Sequence, residues 1–141
     1  MRSCFLLGLS LFLMGCTSET PVTTALGTGG GAAAVVDDSP LSVALQAVND
    51  GSAVLIDVRS DDEWKSGHFE KAVHIPVNKI QDSAAEATAD LDKSKTIYTH
   101  CAKGGRAGRA AKALKDLGFK VEALETTYDA IKEAGFTEAS N

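Results

Sequence analysis

The 141-residue chain is short of cysteine, of basic charge and of long apolar runs, and each shortage excludes something. Only three cysteines occur, Cys4, Cys16 and Cys101. A single one of them falls in the globular part, which argues against an internal dithiol–disulfide cycle and leaves chemistry with an external partner. Lys and Arg number 14 against 19 Asp and Glu, a net charge of −5. The charges form no blocks, and the basic residues gather mainly around one loop and its helix, which argues against nucleic acid as a partner. The apolar run from Phe5 to Met14, broken by Gly8 and Ser10, is too short to span a bilayer. The three histidines, His68, His74 and His100, fit no metal-ligand spacing, so neither a metal nor another cofactor is implied.

Against these shortages, 44% of residues are hydrophobic and 23% charged, the balance of one globular domain with a core and something extra. The extra part is at the front. Arg2 followed by the short apolar run reads as a signal peptide over residues 1–15. Leu13-Met14-Gly15-Cys16 resembles the bacterial lipobox. That resemblance implies cleavage before Cys16 and lipidation of it, and Thr17 in the next position implies the outer membrane. The expected location is therefore the cell envelope, lipid-anchored and facing the periplasm; the alternative is ordinary cleavage near Gly15 with Cys16 left as a thiol. A multiply acylated terminus exceeds the one-chain threshold for stable membrane binding. Residues 16–34, rich in Thr, Gly and Ala and without periodicity, read as a tether behind the lipidated cysteine. Gly27-Thr28-Gly29-Gly30-Gly31 has no strand before it and no lysine-serine pair after it, so it is not a nucleotide loop.

The domain is expected over residues 35–141. Ser39 caps a first helix, Pro40 suits its first turn, and Asn49-Asp50-Gly51 stops it. Ala53 to Val58 is a continuous apolar strand, as expected when both faces are covered. A short turn around Trp64, led by Asp61, Asp62 and Glu63, precedes a strand from Ala72 to Ile75 and a helix from Ile80 to Leu91. A strand leading to Cys101, an Ala-rich helix from Arg106 ended by Gly118, a strand from Lys120 to Leu124 and a helix from Tyr128 to Ala134 complete the domain. Such alternation is that of an α/β domain with a mainly parallel open sheet.

Thr96-Ile97-Tyr98-Thr99-His100-Cys101 ends in a Gly-rich loop, Ala102-Lys103-Gly104-Gly105, that opens the helix at Arg106. Ligands of open α/β sheets bind at the carboxyl ends of the strands, and a loop feeding a helix aims backbone N–H groups there. Gly104 and Gly105 allow the left-handed backbone that turns successive N–H groups inward, and Lys103 and Arg106 add positive charge. A cysteine reacts as its thiolate, which such surroundings favour. Cys101 is the candidate nucleophile, in a loop suited to anions. On a strand side chains alternate, so His100 and Cys101 point apart. Asp57 and Arg59, at another strand's carboxyl end, face the same crevice, with a structural ion pair favoured over direct chemistry.

Cys101-x-x-Gly104-x-Arg106, with Asp57-Val58-Arg59, Glu63, Gly67-His68 and Ile75-Pro76 upstream and Leu117-Gly118-Phe119 downstream, resembles the single-domain rhodaneses, which are sulfurtransferases. The resemblance covers roughly Val35 to Phe136 and implies a rhodanese-like open sheet with helices on both faces. It implies that Cys101 carries a persulfide cradled by the backbone from Ala102 to Arg106, and that Asp57 and Arg59 support the active-site wall. The implied partners are a small sulfur-containing anion such as thiosulfate and a thiophilic acceptor, cyanide or a thiol, that of a protein included. Three departures stand out: Ala107 where the family often has Ser, Glu70-Lys71 in place of Pro-Gly, and Thr126-Thr127 in place of Gly-Gly. Two rival readings are a tethered, non-catalytic binding or sulfur-carrier module and a cysteine-dependent phosphatase. The related phosphatase loops hold five residues between Cys and Arg, whereas Cys101 and Arg106 enclose four, a smaller ring that suits sulfur better.

Overall fold

The computed structural model describes residues 38–140; the expectations of a signal peptide over residues 1–15 and of a lipidated Cys16 with a tether over residues 16–34 fall outside the described residues. Ser39 accepts a hydrogen bond from the Ser42 N–H at 3.3 Å and Pro40 opens α1 (Pro40–Asn49). Gly51, at φ 80°, reverses the chain into β1 (Ala53–Asp57). Then come α2 (Asp61–Lys65), β2 (Ala72–His74), α3 (Val77–Ala87), β3 (Thr96–His100), α4 (Gly105–Asp116), β4 (Lys120–Ala123) and α5 (Tyr128–Glu133).

The four strands pair in the order β2-β1-β3-β4, all parallel. Alternation along the strands sends Ile56, Val58, Ile97 and Val121 to one face, where Ala107, Ala110, Ala111 and Leu114 of α4 and Ile80 of α3 cover them. Leu55 and Tyr98 go to the other face, against Ala44 and Val48 of α1 and Ile131 of α5. Helices therefore lie on both faces, and the short helical alanines let α4 approach the sheet closely.

One helix differs from its sequence reading. The spacing predicts a helix from Ile80 to Leu91, but α3 starts at Val77, immediately behind Pro76, whose fixed φ suits the entry to a helix. It stops at Ala87: Thr88 leaves helical geometry and its hydroxyl donates to the Ala84 carbonyl at 2.7 Å, while Ser83 inside is already non-helical. Thr competes for backbone acceptors in this way where packing is weak.

The side chains of His100 and Cys101 do point apart. Cys101 joins the core face covered by α4, while His100 is buried among Phe69 and Tyr128. Neither ring nitrogen of His100 has a hydrogen-bond partner, and the nearest carboxylate, that of Asp57, is 3.8 Å away. Burial outweighs the attraction of Asp57 and pushes the imidazole down to about 4. Below pH 6.5 the unfolded chain binds a proton that the folded ring refuses, so stability falls as pH drops from about 6.5 to 4. Between these limits the wild type is expected to lose about 3 kcal/mol more than His100→Leu. Urea unfolding of both proteins across that range measures the difference in slope.

Candidate active site

Parallel pairing of β1 with β3 puts Asp57 opposite His100, so the residues that follow the two strands, Val58 and Cys101, emerge side by side at the carboxyl edge, with Arg59 one residue further on. The β3 strand delivers Cys101 to the floor of a pocket of about 390 Å³, with the residue only 1% exposed. Ala102, Lys103, Gly105 and Arg106 line the same pocket, together with Glu63 and Arg109.

Gly104 shapes this loop from beneath. It is buried at φ 85°, and a Cβ there would meet the backbone carbonyl carbon of Glu125 at 2.8 Å. Only glycine satisfies both the left-handed turn and the close approach. Gly104 caps α4 without any side-chain hydrogen bond, so the first N–H groups of the helix remain available beside the sulfur. The Tyr128 N–H, opening α5, donates to the Ala102 carbonyl at 3.1 Å and ties the loop to the start of α5.

Arg106 is held by Glu63. Its Nη1 and Nη2 donate to Oε2 and Oε1 of that carboxylate at 2.5 and 2.7 Å, a two-pronged ion pair. These bonds, with help from the Ser60 N–H and hydroxyl, draw the Glu63 carboxyl down to about 2 against the opposing effect of burial. Glu63 in turn keeps the guanidinium firmly charged, and the sulfur of Cys101 adds to the effect. Glu63 is itself fixed by the capping box of α2, in which the Ser60 hydroxyl and N–H both donate to its Oε2.

Asp57 and Arg59 are close to the pocket without lining it. Arg59 Nε donates to both Asp57 oxygens, at 3.0 and 2.8 Å, and Nη2 reaches the Gly67 carbonyl at 2.6 Å. The guanidinium lies 4.2 Å from the centre of the Tyr128 ring. Asp57 is fully buried and faces away from the crevice that the sequence reading gave it, because alternation along β1 turns it with Leu55 to the opposite side of the sheet. Arg59 borders a neighbouring cleft of about 220 Å³, shared with Ser60, Asn78 and Arg106. The pair is a buried brace that holds the loop after β1 against α5. His68 and His74 both stack on Trp64, with ring centres 3.7 and 4.6 Å away.

Two pocket residues escaped the sequence reading as site residues. Glu63 is recognisable as the fourth residue of a Ser60-x-x-Glu63 capping box, but its pairing with Arg106 spans 43 residues and carries no local signal. Arg109 follows Arg106 by three positions, a helical spacing that could have placed both at one mouth.

Comparison with known proteins bears on this geometry. A family model described as "Rhodanese-like domain" matches residues 41–134. The chain is 35% identical over 72 residues to a candidate sulfur carrier protein, YrkF, of Bacillus subtilis, covering 51% of this chain and 37% of that protein. It is 35% identical over 80 residues to a candidate mitochondrial thiosulfate sulfurtransferase of Schizosaccharomyces pombe, covering 50% and 56%. The matched part thus spans little more than half of these relatives at most. Among solved structures, the BH2092 protein of Bacillus halodurans superposes with a TM-score of 0.61 at 26% identity, over 71% of this chain and 74% of that one. Protein hp1203 of Helicobacter pylori gives 0.54 at 28% identity, over 65% and 92%. The family match runs from the first helix to the last on a fold shared with solved relatives, and by it the chain belongs to the rhodanese-like domain family.

Proposed function

We propose that the domain is a sulfurtransferase in which Cys101 carries sulfane sulfur as a persulfide. The observation that carries this reading is the seat of Cys101: a sulfur on the floor of a cationic pocket, at the uncapped N-terminus of α4. A helix N-terminus favours an anion, and free N–H groups supply the hydrogen bonds. The Cys101 thiolate attacks the outer sulfur of thiosulfate or a related donor; the donor's S–S bond breaks, sulfite leaves with the electron pair, and a new S–S bond forms on the cysteine. The loop N–H groups hold the anionic terminal sulfur as an oxyanion hole holds developing charge. A thiol or cyanide then takes that sulfur and regenerates the thiolate. The names of two curated relatives, a candidate sulfur carrier and a candidate thiosulfate sulfurtransferase, support the chemistry.

We further propose that residues 1–15 direct export and that Cys16 carries the lipid anchor, so that the domain faces the periplasm. The proposal rests on the lipobox-like Leu13-Met14-Gly15-Cys16 sequence.

The full-length chain in detergent, exposed to thiosulfate, is expected to gain the mass of one sulfur, to lose it to cyanide as thiocyanate, and to do neither as Cys101→Ser. Absence of the gain in wild type overturns the catalytic reading in favour of a binding module, and hydrolysis of a phenyl phosphate ester that requires Cys101 overturns it in favour of a phosphatase. Gly104→Ala is expected to lose roughly 2 kcal/mol of stability through left-handed strain and the Glu125 contact, and to slow persulfide formation at least tenfold. Urea unfolding and the rate of mass gain measure the two effects. In cells fed labelled fatty acid, the wild type is expected to take up label and Cys16→Ala to lose it; equal labelling of both refutes the anchor.

A further inference from the structure

The positive charge nearest the sulfur is already spent. Glu63 pairs with both ends of the Arg106 guanidinium, and among the described residues it is the one carboxylate on the pocket wall. Lys103 and Arg109 line the same pocket, both exposed, and among the described residues neither has a hydrogen bond or ion pair. Glu125 rests against Gly108 and stays beyond ion-pair distance of both. Two unpaired cations thus stand over a cysteine that is 1% exposed, on a chain whose net charge is −5. Volume gives a second constraint: about 390 Å³ lies within the roughly 300–1,000 Å³ that small organic ligands occupy, far more than thiosulfate fills. A sulfur on the pocket floor is open to a small molecule that enters, and less so to a thiol on the surface of a folded protein.

We propose that Lys103 and Arg109 select the sulfur acceptor, and that the acceptor is a small thiol bearing carboxylates. The inference rests on the persulfide reading above. The acceptor thiolate attacks the terminal sulfur of the Cys101 persulfide; one S–S bond forms as the other breaks, the acceptor leaves as a persulfide, and Cys101 regains its thiolate with no net oxidation. Lys103 and Arg109 hold the acceptor's carboxylates at the rim while its sulfur reaches down. Arg106, held by Glu63, stays with the loop.

The test isolates the second half-reaction. Full-length chain is loaded with excess thiosulfate, freed of donor and mixed with mercaptosuccinate, 3-mercaptopropionate, 2-mercaptoethanol or cysteamine, which carry two carboxylates, one, none and an ammonium. Loss of sulfur mass from Cys101 gives the rate, compared at equal thiolate concentration. The wild type is expected to rank the thiols in that order, with roughly fivefold per unit charge at low salt and a compressed ranking at high salt. Arg109→Ala and Lys103→Ala each flatten the ranking, and Arg109→Glu with Lys103→Glu reverses it. Lys112→Ala, on the same helix but paired with Asp116 away from the pocket, keeps the wild-type ranking. Rates indifferent to acceptor charge, or a ranking unchanged in the Lys103 and Arg109 variants, overturn the inference while leaving the persulfide reading intact. Failure of thiosulfate to load Cys101 at all overturns the persulfide reading itself.

Discussion

The carboxyl edge of this sheet depends on the register of β1 with β3. Asp57 lies opposite His100, and from that pairing follow the adjacency of Val58 to Cys101 and the position of Cys101 at the start of the reactive loop. A slip of one residue would exchange the faces of β3 and bury the cysteine where His100 now lies. The register is held by five paired positions and by apolar residues committed to each face, so the sulfur inherits its position from the core.

Around that edge two ion pairs act differently. Asp57 and Arg59 are buried, and such a pair adds little net stability once desolvation is counted, though losing one partner is costly. What it supplies is geometry: the loop after β1 is fastened to Gly67 and Tyr128, and Tyr128 in turn fastens Ala102. Glu63 and Arg106 are partly exposed, and their pairing fixes an arginine beside the sulfur while cancelling its charge. The pocket's free charge therefore comes from residues that the fold does not restrain.

What was legible in the sequence is what is written locally. Ser39 with Pro40, the Asn49-Asp50-Gly51 stop, the apolar run of β1 and the cysteine before two glycines each declare themselves within a few residues. The limits of α3 did not, because helical spacing says nothing of the start that Pro76 gives or of the break at Thr88. The face of Asp57 was misread because a position at a strand's carboxyl end does not say which way the pleat turns it: Arg59, two residues on, reaches a neighbouring cleft, while Asp57 is turned inward. The Glu63–Arg106 contact required the fold: nothing in either residue's neighbourhood marks a partner 43 positions away.

The chain has a single tryptophan, and it stands on the helix that carries Glu63, stacked with the rings of His68 and His74. Indole emission is sensitive to imidazoles stacked this closely. The short helix behind the paired arginine therefore carries its own optical reporter: a shift of α2 as the pocket fills would separate the rings and change the fluorescence of the unlabelled protein.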